Sequence, residues 1–289
     1  MELGIAFRIA QDLGFQKDPK NWISYDASLT TNEDVEIRRR IYWGCYISDK
    51  LISLILGRPV ILYYDDAEVE PIQQQPDIPE LRPWRSVGFS GTDDELDRIG
   101  SMVPYYREQI HLARAIERML STLFSPRSNL NGMSRRACLD SLNIELSRWK
   151  SGIPGRAEWS KWEPIDTPLI PSVAMIHLLF HSARIALNFD QAVSVLSNTS
   201  DQGARQCCLL SAEDIASITR RYRHQYGLRH APLILVYGIV QAIRAFDTLG
   251  VPEESHPLVQ ALAECTVTWG LAEQARGLIL QRIPVADSK

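Results

Sequence analysis

The chain has 289 residues, 45% of them hydrophobic and 23% charged, the balance of a globular protein with a core of its own. A net charge of −4 argues against a surface that grips DNA through an overall basic face. The five cysteines, Cys45, Cys138, Cys207, Cys208 and Cys265, are odd in number and lack disulfide-like spacing, which points to a reducing compartment. Met1 to Gly4 lacks the basic and apolar regions of a secretory signal, and the apolar run 231–243 is too short to span a bilayer, so no membrane partner is expected.

Residues 2–13 place Leu3, Phe7, Ala10 and Leu13 at helical spacing, so the chain is expected to open in an amphipathic helix. No capping residue precedes that helix, which predicts a piece of a longer protein. Pro19 and Asn21 mark 16–31 as a loop. The next helix, from about Glu33 to Leu56, has Ile37, Ile41, Cys45, Ile52 and Ile55 in register. Aromatic residues widen this stripe until little polar face remains, the pattern of an interior helix. It is expected to stop where Gly57 takes the left-handed conformation and Pro59 withholds the next hydrogen bond.

Asp49 lies inside the apolar run, and a buried carboxylate is costly without a partner. It is expected to pair with Arg58 or with an arginine of the Arg38-Arg39-Arg40 triplet, tying the helix to its exit. The triplet itself reads as the salt-bridged rim of a buried helix, with Glu33, Asp34 and Glu36 as partners, in preference to a nucleic-acid contact.

From about 63 to 92, Pro71, Pro76, Pro79 and Pro83 predict a long mobile surface loop. A helix from about Asp93 to Phe124 follows, kinked at Pro104. Ser134 is expected to cap a helix reaching Trp149. The stretch 152–168, with Trp159 and Trp162, reads as a loop, and helices are expected at 171–197, 211–225, 232–249 and about 256–281. No alternating strand pattern of useful length occurs. The predicted fold is all-α and multi-helix.

The run Arg38-Arg39-Arg40-Ile41-Tyr42-Trp43-Gly44-Cys45-Tyr46-Ile47-Ser48-Asp49-Lys50, ending in Gly57-Arg58-Pro59, resembles the signature of the fungal-specific transcription factor domain. That domain is the helical regulatory region of zinc-cluster regulators, and against its pattern the resemblance implies that the first helices are missing from this chain. Arg8 to Phe15 with Asp18-Pro19, and His177 to Leu187, are similar to other helices of the same proteins, and the wording of the opening run looks closest to nitrate-assimilation regulators. The resemblance implies that 1–289 is a regulatory domain controlling transcription by RNA polymerase II in the nucleus, and not an enzyme. It implies signature positions of structural or regulatory weight at Arg38, Arg39, Arg40, Trp43, Asp49, Gly57, Arg58 and Pro59. The implied partners are DNA, through a zinc-cluster module outside this chain, coactivator or corepressor proteins, a homodimer mate and a small-molecule inducer. A cavity lined by Trp43, Tyr46 and the helix at 171–187 would favour the inducer.

Two other chemistries compete with this reading. The zinc cluster itself needs paired Cys-x2-Cys units, and the chain has none, so no catalytic, metal or DNA-binding residue and no cofactor is assigned within it. His177 and His181 share a helix face, but Leu178 stands where a zinc protease needs its glutamate, so they read as packed histidines. Asp93-Asp94-Glu95-Leu96-Asp97 fits the magnesium-binding pattern of a class I terpene synthase, with Asp93, Asp94 and Asp97 as ligands. Glu213-Asp214 begins like the second metal motif of that family, but Arg221 stands where its last glutamate belongs. Acids opening a helix are also expected from the helix dipole alone.

Overall fold

The computed structural model describes residues 2–18, 31–71, 103–126, 128–194 and 201–282. The described residues contain helices and no strand, in the order α1 (Glu2–Asp12), α2 (Asn32–Leu56), α3 (Val103–Thr122), α4 (Gly132–Gly152), α5 (Pro171–Val193), α6 (Asp201–Tyr226), α7 (Leu233–Thr248), α8 (His256–Cys265) and α9 (Gly270–Arg282). They form two compact units, one holding α1 to α4 and the other α5 to α9. No described helix is long and apolar enough to cross a membrane.

In the first unit α1 packs on α2, α2 on α3 and α3 on α4. α1 ends at Asp12 because Gly14 turns the chain at φ 67°, with Phe15 N–H returning to the Ala10 carbonyl at 3.0 Å. That turn carries Leu13 to the surface at 57% exposure, so only Phe7 and Ala10 of the expected face are seen to be buried, and Phe15 packs inward in place of Leu13. α2 begins in a capping box: Thr31 Oγ1 accepts from Asp34 N–H at 3.1 Å, and Asp34 Oδ2 accepts from Thr31 N–H at 3.0 Å. Thr31 Oγ1–H also donates to Asp34 Oδ2 at 2.7 Å, and this bond first, then the one from Thr31 N–H, holds the Asp34 carboxyl below the usual range. The helix ends as predicted, with Gly57 at φ 62° and Arg58 N–H on the Ser53 carbonyl at 3.1 Å.

The buried face of α2 is not the isoleucine stripe. Ile37 and Ile41 are 47% and 42% exposed, while Tyr42, Trp43, Tyr46, Asp49, Lys50, Ser53 and Leu54 turn inward. These seven repeat at three- and four-residue steps as faithfully as the isoleucines, so periodicity alone could not choose between faces. α3 is described from Val103, so the helix expected before it and the kink expected at Pro104 are not tested by the described residues. The expected helix start at Asp93 and most of the 63–92 loop lie outside the described residues. α4 starts at Gly132 with Asn131 before it, so Ser134 sits within the first turn and is not its cap.

In the second unit α5, α6 and α7 pack against one another, and α8 and α9 build outward from α7. Gly238 lets α7 come close. A Cβ there would lie 3.4 Å from both Leu178 Cδ2 and Ser182 Oγ of α5. α6 begins at Asp201, ten residues before the expected 211, and Arg205 in its first turns donates to the Leu249 carbonyl at the end of α7. The single helix expected at 256–281 is broken after Cys265. Trp269 Nε1–H donates to the Ala231 carbonyl at 2.7 Å, and Thr268 Oγ–H donates to the Arg229 carbonyl, so two side chains hold the break in place.

Candidate functional site

The signature helix α2 and its neighbour α3 grip one connecting segment, the strap at 58–71, which follows the Gly57 cap and includes a short 3-10 turn at Tyr64–Asp66. Val60, Leu62 and Val69 of the strap are buried, which turns its backbone polar groups away from water, so they must find partners in the protein. α2 supplies most of them. Asp49 Oδ2 accepts from the N–H groups of Ile61 and Leu62, both at 3.0 Å. Lys50 Nζ donates to the Leu62 carbonyl and, at 2.7 Å, to Asp49 Oδ2. Trp43 Nε1–H donates to the Glu70 carbonyl at 3.2 Å, and Tyr42 Oη–H to the Tyr63 carbonyl at 3.4 Å. From α3, Glu117 Oε2 accepts from Tyr64 N–H at 3.0 Å and from Tyr46 Oη–H at 2.9 Å. The far end of the strap is held by the Gln16 carbonyl, which accepts from Glu68 and Val69 N–H.

The electrostatics of this clamp are unusual. Lys50 is fully buried, Asp49 is 2% exposed and Glu117 8%. Lys50 Nζ lies 3.9 Å from Glu117 and 4.2 Å over the Tyr46 ring, so one ammonium faces two carboxylates and an aromatic face. Removing these charges from water is expensive, and the arrangement holds because the remaining lone pairs and protons meet backbone groups. Burial pushes the Lys50 ammonium below its ordinary pKa against the pull of Asp49 and Glu117. Burial likewise raises the Glu117 carboxyl, against the bonds from Tyr46 and Tyr64 and the charge of Lys50. The Tyr46 hydroxyl is raised as well, by burial first and then by the Glu117 charge, so it stays a donor.

Around the clamp the rings close tightly. Trp43 meets Tyr42 and Tyr46 edge to face at 5.3 and 5.2 Å, and Tyr64 of the strap lies 5.2 Å from Trp43. Arg114 of α3 covers Tyr64 at 4.1 Å from outside. Trp43 and Tyr46 thus belong to a filled core in the first unit, whereas the helix at 171–187 belongs to the second.

The signature residues divide into those inside this clamp and those around it. Asp49 and Trp43 are inside, and Gly57 aims the chain into the strap. Asp49 is paired as expected, but its cation is Lys50, adjacent in sequence, and not Arg58 or the triplet; Arg58 is exposed. Pro59 offers its carbonyl to Ser53 Oγ–H at 3.4 Å. The triplet forms the rim: Arg38 stacks over Phe15 at 5.3 Å, Arg39 lies 3.8 Å from Asp18 and 4.0 Å from Glu36, and Arg40 Nε donates to Glu36 at 3.3 Å. The Arg40 carbonyl also accepts from Tyr106 Oη–H at 2.6 Å. Lys50 and Glu117 were missed by sequence reasoning. Glu117 shares the phase of Ile110 and Ala113, so a carboxylate in step with an apolar stripe was its signal.

The competing motifs are employed otherwise. His177 and His181 stack at 6.3 Å in the buried face of α5, beside Trp159 and Phe180, with His181 Nε2 3.7 Å from Asp214. Glu213 pairs with Lys161 at 2.6 Å, and Arg221 binds Glu163 at 2.9 Å together with the carbonyls of residues 163 and 164. Asp93, Asp94 and Asp97 lie outside the described residues.

Residues 2–151, which include the clamp, match the fungal specific transcription factor domain. The chain belongs to that family. Family relatives align well beyond the matched region. A transcriptional regulatory protein of Schizosaccharomyces pombe is 30% identical over 99% of this chain and 48% of its own length. A second from the same yeast is 31% identical over 96% of this chain and 46% of its length. The nitrogen assimilation transcription factor nit-4 of Neurospora crassa is 25% identical over 96% of this chain and 25% of its own length. The chain therefore spans about half the length of the first curated relatives it matches. No solved structure gives a significant match.

Proposed function

We propose that this chain, over 1–289, is the regulatory region of a fungal zinc-cluster-type transcription factor and acts in the nucleus on transcription by RNA polymerase II. The supporting observation is the family match over 2–151, whose signature helix is the one that builds the buried clamp. Relatives that are transcriptional regulators align with both units, which supports treating them together. With no Cys-x2-Cys pair in the sequence, DNA contact falls to a zinc-cluster module outside these residues, and the chain itself holds no zinc and performs no catalysis. Its own partners are coactivator or corepressor proteins, a second copy and a small-molecule inducer.

The decisive experiment fuses the chain to a heterologous DNA-binding domain and measures a reporter carrying the matching operator in a fungal host. Expression raised or lowered relative to the DNA-binding domain alone is the expected result. A reporter that does not respond, with the fusion present at equal level in the nucleus, would overturn the proposal.

A further inference from the structure

Outside the clamp, the second unit contains a cleft of about 480 Å³ between α7, the start of α8 and α9. Val240 and Ile243 of α7 form one wall and Leu278 and Ile279 of α9 the other. Leu278 is 62% exposed, an apolar side chain left facing the opening. Two opposite charges line this cleft, Arg244 and Asp247, three residues apart on α7 and hence on one face. That spacing permits an ion pair, but neither residue makes one with any described residue. Arg244 is instead held with its guanidinium 3.7 Å over the ring of the buried Phe189. Stacking uses the face of the guanidinium and leaves its N–H edge free, the edge that takes a carboxylate in a two-pronged bond. His256, the first residue of α8, also lines the cleft, near the same mouth as Pro252 and Ser255.

We propose that this cleft binds a free α-amino acid with an apolar side chain. Arg244 takes the carboxylate, Asp247 takes the ammonium, and the side chain lies between Val240, Ile243, Leu278 and Ile279. A ligand of one charge would pair with only one of the two α7 groups, whereas a zwitterion pairs with both. Concave, mostly apolar sites with a few converging polar groups are the usual form of small-molecule sites. Binding across α7 and α9 would join two helices that are otherwise separated by the cleft, and any effect of that on transcription rests on the regulatory reading above.

Isothermal titration of the full chain with L-leucine and L-phenylalanine tests this, with 4-methylpentanoate, which lacks the ammonium, and 3-methylbutylamine, which lacks the carboxylate, as probes. At least one amino acid is expected to bind, and L-leucine at least ~10-fold more tightly than either of its one-charge analogues. Arg244→Ala should weaken amino-acid binding by about 10-fold or more, and Asp247→Asn should weaken the amino acid while leaving 4-methylpentanoate unchanged or improved. Both positions are exposed, so the variants should fold, and circular dichroism checks that they do. The inference is overturned if neither amino acid binds at about 10 mM, if 4-methylpentanoate binds as well as L-leucine, or if both variants bind like the parent. Any of these results would leave the reporter experiment, and the transcriptional reading, untouched.

Discussion

The strap at 58–71 in the first unit and the segment at 159–170 in the second are both connecting segments laid against helices, yet they are held by different chemistry. The first is held by buried groups: Asp49, Lys50, Glu117, Tyr42 and Trp43. The second is held by one helix, α6, through side chains that range from the buried Arg221 to the exposed His224. Gln225 takes the Leu169 N–H at 2.8 Å and donates to the carbonyls of Ile165 and Thr167, Tyr226 donates to the Leu169 carbonyl, and Arg221 donates to those of Glu163 and Pro164. At the outer edge Lys161 meets Glu213 and His224 meets Asp166 at 3.2 Å. In the second segment the outer bonds of Lys161, Gln225 and His224 can be replaced by water, while the buried Arg221 carries the inner part of the hold. In the first, loss of one charge strands the others in a dry site. The first strap should therefore hold or fail as a unit, and the second should loosen bond by bond.

The sharpest way to break the contrast is Lys50→Met. It leaves Asp49 and Glu117 buried with no cation, and we expect a loss of about 3–5 kcal/mol in urea unfolding of the first unit. A change below ~1 kcal/mol would remove the distinction between the two straps. Next in size is Arg221→Met, which deletes bonds to two carbonyls and to the half-exposed Glu163. About 2 kcal/mol is expected from the second unit, with the first unfolding as before.

Glu117→Gln addresses the charge itself. The Glu117 carboxyl is raised in the folded chain, so between its unfolded and folded pKa the folded state holds the extra proton, and stability falls as pH rises through that window. The glutamine variant keeps an acceptor for Tyr46 and Tyr64 and should lose that slope. Unfolding profiles that remain parallel across mildly acidic pH would show that the carboxylate is not strained by burial. Smallest of all should be Arg39→Ala, whose partners stand at 3.8 and 4.0 Å and whose loss leaves Glu36 paired with Arg40: a shift within ~0.5 kcal/mol, despite its place in the signature triplet. A larger loss would move the triplet from the rim into the clamp.

Local signals carried the reading of α2 a long way. Gly57 followed by Pro59 marked its end, and a lone carboxylate inside an apolar run announced a buried partner before any contact was known. What could not be read was the identity of that partner. Lys50 was visible as the neighbour of Asp49, but successive residues on a helix point in different directions, and only the return of the strap brings both heads to Leu62. Glu117 lies 53 residues beyond Tyr64, and no local pattern links them. The choice between the isoleucine and aromatic faces of α2 failed for the same reason: which stripe is inner depends on what packs against it. In the second unit the polar opening of α6, from Asp201, gave a weak helical signal. It is fixed by Arg205 reaching the end of α7, a tertiary contact that overrides propensity.

The grip of the first strap is on main-chain atoms at Ile61, Leu62, Tyr63, Tyr64 and Glu70, almost without regard to what those residues carry. Ile61 and Tyr63 point half outward, so their side chains are free to drift over evolutionary time while the backbone stays seated. Asp49, Lys50 and Glu117 have no such freedom, since each answers to the other two. Among descendants of this sequence, the holder should change slowly and the outward positions of the held segment quickly.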